Sequence, residues 1–216
     1  MDLSVLHKAY LDCRKRKRGT INALKFEASG FEKLLDLQQE LSEKTYKPSA
    51  SVCFINRYPK PREIFAADFR DRIVHHLFVR AVEPTFERIF IHDSFACREN
   101  RGSHKAVERL SKFIRSYLAK EPHAFFLQMD IRNFFMTIDK KILYTLLLKG
   151  LMKMHGIKPG RLPFHLKNPE NFESLKGLLQ VLLFHDPTEN FRRKSPEREW
   201  KLIGAEKSLF WCQKGR

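Results

Sequence analysis

The strongest constraint on how this chain folds is the stretch Phe125-Phe126-Leu127-Gln128-Met129-Asp130-Ile131-Arg132-Asn133-Phe134-Phe135-Met136-Thr137-Ile138-Asp139. Five mostly apolar residues lead into one carboxylate, and a second apolar run then feeds the helical pattern from Lys140 to Leu148. The pattern predicts a buried strand that delivers Asp130 to its exposed end. A rigid strand end of that kind can hold a divalent metal near a phosphate, because the turn beyond it leaves backbone N–H groups free for phosphate oxygens. An ordinary core strand whose aspartate caps a turn answers the same pattern.

Charge narrows the choice. The 216 residues carry 41 Lys and Arg against 25 Asp and Glu, a net +16. Such an excess favours a polyanionic partner, and nucleic acid is the commonest, since each neutralised phosphate releases counterions without any reading of base sequence. No run approaches the roughly 18 apolar residues of a membrane-spanning helix, and Met1-Asp2-Leu3-Ser4 lacks the charged-then-apolar opening of a secretory signal. Cys13, Cys53, Cys97 and Cys212 lie 40 or more residues apart with no C-x-x-C pair. Neither a zinc knuckle nor a disulfide framework follows, and a reducing, cytoplasmic setting is expected.

Along the chain, residues 1–45 read as helical, with Leu3, Leu6, Tyr10 and Leu11 at one spacing and Phe31, Leu34, Leu35, Leu37 and Leu41 at another. Two helices are expected to flank the basic knot Arg14-Lys15-Arg16-Lys17-Arg18-Gly19, whose five consecutive cations cannot all pair locally. The knot answers to a solvated arm or to a phosphate-backbone contact. Val52-Cys53-Phe54-Ile55 and Arg62-Glu63-Ile64-Phe65-Ala66 read as paired strands joined by a loop stiffened by Pro59 and Pro61. Lys60 and Arg62 then sit on a short projection suited to a triphosphate, although an ordinary polar turn fits as well.

A helix is expected from Asp68, with Asp68 or Asp71 capping it and Pro84 interrupting it. His75 and His76, adjacent on that helix, point about 100° apart and are poor joint metal ligands. Asp93 to Arg98 reads as extended or turn. After Arg101-Gly102-Ser103 another helix sets Val107, Leu110, Phe113, Ile114, Tyr117 and Leu118 on an apolar stripe and Lys105, Arg109, Lys112 and Arg115 opposite. Asp139 is expected to cap the helix that begins at Lys140. Residues 149–200 are the least regular third, with a short apolar helix near Leu175 to Phe184 and a cationic cluster at Arg192-Arg193-Lys194. The expected class is α+β, helix-rich with a small antiparallel sheet.

Three stretches in this order carry a resemblance. They are Arg62 through His76 continuing to Glu83-Pro84-Thr85-Phe86-Glu87; Asp93-Ser94-Phe95-Ala96-Cys97-Arg98 with Gly102, Ser103 and His104; and the Asp130 stretch. Together they resemble the reverse transcriptase superfamily, and in detail the bacterial and phage diversity-generating retroelement enzymes, relatives of group II intron and retron polymerases. His185-Asp186-Pro187 and Lys207-Ser208-Leu209-Phe210 resemble spacer features of that group. The resemblance covers nearly the whole chain. It implies a right-hand polymerase divided as a basic helical region at 1–47, fingers at 48–122, and a partial palm with an irregular insertion at 123–216.

What the resemblance implies for single residues is specific. Asp130 matches the first of three palm aspartates that hold two Mg²⁺ ions, and the Ile131 carbonyl matches the backbone ligand beside it. Phe135 matches the aromatic gate that excludes a ribose 2′-OH, and the backbone N–H groups of Asn133 and Phe134 match those that meet the incoming dNTP. Arg62 best matches the triphosphate-clamping arginine, with Lys60, Arg70 and Arg72 as weaker matches, while Arg14, Lys15, Arg16, Lys17 and Arg18 are the expected nucleic-acid contacts. The implied partners are an RNA template, a DNA primer and dNTP.

The departures are as specific. The Gln-containing motif and the Tyr-x-Asp-Asp hairpin that supply the rest of the palm are missing, and no Asp-Asp pair occurs in the sequence. The chain is therefore expected to be truncated and inactive alone, needing a downstream segment or an accessory protein. Its unpaired strand edge is expected to leave it marginally stable or self-associating. A non-catalytic RNA-binding scaffold that kept the fold is the alternative from a different class.

Overall fold

The computed structural model describes residues 2–15, 17–131, 134–155 and 169–200. In chain order its elements are α1 (Leu3–Arg14), α2 (Ile21–Glu27), α3 (Gly30–Glu43), β1 (Ser51–Asn56), β2 (Arg62–Ala66), α4 (Phe69–Ile89), α5 (Ser103–Leu118), α6 (Phe134–Thr137), α7 (Lys140–His155), α8 (Pro169–Phe184), β3 (Phe191–Arg193) and α9 (Glu197–Trp200). The class is α+β. Two compact units result, one formed by Met1–Val82 with Phe135–Arg216, the other by Glu83–Phe134.

In the larger unit, the helix starts follow from short polar side chains. Asp2 accepts from Ser4 N at 2.8 Å and Thr20 from Ala23 N at 3.4 Å, satisfying N–H groups that the first turn leaves without a partner. Three helices, not two, surround the basic knot: α1 precedes it, and the stretch beyond it breaks at Ser29 into α2 and α3. Ser29 has φ −136° and ψ 43°, which no helix accommodates. Leu6, Ala9 and Cys13 of α1, Ala23 and Phe26 of α2, and Leu34, Leu37 and Leu41 of α3 form the buried faces. The rings of Tyr10, Phe26 and Phe69 meet, at 5.9 Å for Tyr10 with Phe26 and 5.3 Å for Phe26 with Phe69.

β1 and β2 form the expected antiparallel hairpin, in register from Val52 opposite Ala66 to Asn56 opposite Arg62. The sheet is mixed rather than purely antiparallel, because β3 lies parallel to β1, Ser51 opposite Phe191 and Cys53 opposite Arg193. Three residues are too few to show a period in sequence, and Arg192-Arg193-Lys194 reads there only as charge. Tertiary hydrogen bonds recruit them: Lys194 N donates to Cys53 O at 2.8 Å and Ser51 N to Asn190 O at 3.0 Å. One face of the sheet buries Cys53 and Ile55 with Trp200, against Phe65 and Phe191.

The start of α4 is capped by Asp68, whose Oδ1 accepts from Arg70 N at 3.1 Å. Asp71 is buried instead. Its carboxylate accepts from Tyr46 Oη at 2.8 Å and from Ser49 N at 2.9 Å, which ties the 46–49 segment to α4. Burial and that carboxylate push the Tyr46 phenol far above its ordinary range. Pro84 does not interrupt α4, which runs from Phe69 to Ile89 with the proline inside it. An interior proline removes one N–H donor and crowds the carbonyl four residues back, a local penalty that α4 carries without ending. Asp139 caps α7 as expected, accepting from Lys141 N at 2.8 Å and Ile142 N at 3.0 Å. The apolar helix expected near Leu175 is longer, beginning at Pro169.

The unit Glu83–Phe134 is built otherwise. Gly102, at φ +106°, takes a conformation that side-chain-bearing residues rarely adopt and sets α5 off from the turn before it. Arg98 organises that turn. Its guanidinium grips Glu87 through Nε at 3.0 Å and Nη2 at 2.8 Å, donates from Nη1 to Ile91 O at 3.0 Å and Ser94 O at 2.9 Å, and lies over the Phe90 ring at 5.3 Å. The planar fork of arginine suits this several-pointed hold.

Candidate nucleic-acid interface and polymerase site

Asp130 is where the structure departs furthest from the sequence reading. Residues 123–131 form no strand; they carry no regular secondary structure and are all exposed, Phe125 at 93 % and Ile131 at 64 %. A strand leaves every backbone N–H and C=O wanting a neighbour, and all three strands among the described residues belong to the sheet around β1. Without a ladder partner, the apolar side chains find nothing to pack on. The Asp130 carboxylate stands in solvent rather than in apolar packing.

A fit to Mg²⁺ can be tested on the residues themselves. Two ions about 3.5–4 Å apart need bridging carboxylates, whereas Asp130 and the Ile131 carbonyl offer one carboxylate and one carbonyl. Among the described residues no three His, Cys, Asp or Glu side chains gather as a ligand set. The described residues therefore do not build the two-ion centre that the resemblance implies.

The expected dNTP contacts divide between the units. Lys60 and Arg62 lie in the larger one, at the exposed end of the β1–β2 hairpin; Arg62 is paired with Asn56 through the backbone ladder, and neither side chain makes an ion pair or hydrogen bond with a described residue. The other two cations of this group are occupied. Arg70 pairs with Glu40, donates to Lys47 O at 3.3 Å and lies over the Tyr46 ring at 5.3 Å, while Arg72 Nε donates to Ala67 O at 2.9 Å. Phe134 opens α6 and Phe135 follows in the same turn. Asn133 lies outside the described residues, as do Arg16, Cys212 and Lys207 to Phe210.

The basic knot is less free than its charge suggests. Arg14 Nε donates to Glu27 Oε1 at 2.5 Å, and that bond holds the Glu27 carboxyl below its ordinary range. Lys15 Nζ donates to Asp12 Oδ1 at 2.7 Å, with Arg80 on the other oxygen. Lys17 and Arg18 form no salt bridge with a described residue, so the knot offers fewer open cations than the run of five implies.

A cationic groove in the smaller unit was only half visible in sequence. Lys105, Arg109 and Lys112 share the α5 face as their spacing predicts, with Glu108 among them 3.9 Å from Lys105, and the preceding turn adds His92, Asn100 and Arg101 around Phe95. Arg101 stacks over the Phe95 ring at 5.7 Å and Arg109 over Phe113 at 4.3 Å. Asp93 is held below the ordinary carboxylate range by the Arg109 hydrogen bond at 2.8 Å, and next by His92. His92 and Arg101 lie 9 residues apart in the sequence, and the Arg98 clamp is what folds them together. Cations interleaved with aromatic faces suit a nucleic-acid backbone and its bases.

No family model matches this chain, and no curated protein matches it. No helix among the described residues is long and apolar enough to cross a membrane.

Proposed function

We propose that this chain is the fingers and partial palm of an RNA-directed DNA polymerase of the diversity-generating retroelement kind, working in the cytoplasm on an RNA template annealed to a DNA primer. By itself it grips the hybrid and the incoming dNTP and does not extend the primer. The observation that carries this reading is the hairpin: Lys60 and Arg62 stand open at its end while neighbouring Arg70 and Arg72 are engaged in the fold. Cations held out by a paired backbone without local partners are available to a triphosphate. The groove around Phe95 supplies a second, sequence-independent contact for the nucleic-acid backbone.

A non-catalytic RNA-binding scaffold is the second reading, and the exposed, strandless Asp130 stretch favours it. Fluorescence anisotropy with a labelled RNA–DNA primer–template, in Mg²⁺ buffer with and without the next matched dNTP, separates the two. The polymerase reading expects matched dNTP, and not mismatched dNTP, to tighten the complex, and Arg62→Ala to abolish that gain while leaving the salt dependence of binding in place. Equal affinity with every dNTP identifies the scaffold. Primer extension by this chain alone, lost in Asp130→Asn, would overturn the claim that it does not extend.

A further inference from the structure

We propose that α5 is also a self-association surface, through which two copies of this chain pair side by side about a two-fold axis. No residue of α5 is buried. Val107, Leu110, Phe113, Ile114, Tyr117 and Leu118 are between 37 % and 62 % exposed. Together they leave an apolar patch on the order of 600 Å² uncovered, the upper end of what a monomer's largest patch reaches.

The pattern within that patch selects the occupant. Val107, Leu110, Ile114 and Tyr117 follow one another at intervals of three, four and three, the seam spacing of paired helices. β-Branched Val107 and Ile114 occupy one seam position, with Leu110 and Tyr117 in the other, the distribution that favours two parallel strands. The flanking positions are Ala106 and Phe113 on one side and Ser111 and Leu118 on the other. None of these eight residues is charged, in a chain of net +16. Lys105, Glu108, Lys112 and Arg115 lie off the seam, and Arg109, whose guanidinium rests on the flanking Phe113 ring at 4.3 Å, is paired with Asp93 at 2.8 Å. A second copy is therefore a partner that meets this surface without setting cation against cation, and an isologous pair needs only one self-complementary face.

A lone pair of 16-residue helices is marginal. Stable interfaces bury about 800 Å² per partner, and the exposed side chains of Phe125, Phe126, Leu127, Met129 and Ile131 supply more. In a parallel pair the two α5 C-termini lie together, so both copies of that segment emerge at the same end. Nucleic acid and a second copy then use opposite faces of one helix, and salt acts on them in opposite directions. Added salt weakens phosphate contacts but screens the repulsion between two +16 chains that meet through an uncharged seam.

Sedimentation equilibrium of the full chain tests this. The mass is expected to rise from 25.6 kDa towards twice that value with concentration, and the rise to grow with added salt. Val107→Lys and Ile114→Lys place like charges opposite each other in the pair and are expected to raise the dissociation constant by about tenfold or more. Both side chains are partly solvent-exposed, so far-UV circular dichroism stays as in the parent, and Arg115→Ala leaves the association unchanged. A single 25.6 kDa species at every concentration and salt overturns the proposal, as does association that neither lysine weakens. Should a lysine variant lose helicity, the parent chain's mass and its response to salt decide by themselves. Loss of this pairing leaves hybrid binding intact, which keeps the failure of one proposal distinct from the failure of the other.

Discussion

The two units of this molecule are held together by different physics. In the larger, Leu6, Leu37, Ile73 and Leu151 are 1 % exposed or less, and helices spaced for burial close over one another. In Glu83–Phe134, Thr85 alone among the described residues is buried, and cohesion comes from arginines: Arg98 on Glu87, Arg109 on Asp93, and guanidinium faces on Phe90, Phe95 and Phe113. One long helix and a turn cannot cover an apolar stripe by themselves. A helix with a strong apolar face is thus no evidence of a core; the face becomes a core only where a second element meets it.

The sharpest way to break this comparison is a matched pair of truncations. Leu37→Ala in α3 is expected to cost about 3 kcal/mol in denaturant unfolding, and Leu110→Ala in α5, measured at a concentration where the chain is monomeric, no more than about 0.5 kcal/mol. Equal losses would mean that α5 is packed. Asp71→Ala, which strands the Tyr46 hydroxyl and the Ser49 N–H in a buried place, is expected to cost about 2–3 kcal/mol, showing that a polar lock in the larger unit draws its strength from burial.

Smaller and local effects belong to the arginine-held unit. Arg98→Lys keeps the charge but loses the fork, and limited proteolysis between residues 91 and 102 is expected to accelerate several-fold while cleavage of the larger unit stays as it was. Acidification separates the units more gently. Arg98 holds Glu87, and Arg109 holds Asp93, below their ordinary ranges. Their contribution is complete above the unfolded carboxyl values near pH 4 and is lost as pH falls through the lower folded ones. Glu63 runs the other way, since burial raises its carboxyl, so its part of the sheet is favoured at low pH and loses that support as pH rises through the raised value. Amide exchange followed from pH 6 to pH 3 is expected to show 87–109 opening before β1 and β2. Simultaneous opening would erase the distinction.

Much of the fold was legible locally. Helices α4 and α5, the hairpin of β1 and β2, and the Asp139 cap all follow from short-range spacing and turn chemistry. Phe31 and Leu35 fit the apolar period of α3 yet face solvent at 69 % and 39 %, because periodicity states which residues share a face and not whether anything covers it. Pro84 carries a local break signal that the helix overrides. β3 was unreadable, since its three residues are strand only by lying parallel to residues 51–53 of β1, a pairing closed at its ends by Ser51 N donating to Asn190 O and Lys194 N donating to Cys53 O. In the candidate site, the open cations Lys60 and Arg62 were named correctly as exposed on a projection, while the engagement of Arg14, Lys15, Arg70 and Arg72 depends on acids and carbonyls that the chain brings from elsewhere.

The sequence by itself determined the α+β class, the caps at Asp68 and Asp139, the pairing of β1 with β2 and the excess of positive charge, since each depends on residues within a few positions or on simple composition. Tertiary structure alone decided which cations stay open, that β3 joins the sheet in parallel, and that the Asp130 stretch is an exposed segment rather than a buried strand. The physical reason is the same in each case: an ion pair, a ladder or a covered face needs a partner group, and the position of that partner is set by the path of the whole chain rather than by the residues that wait for it.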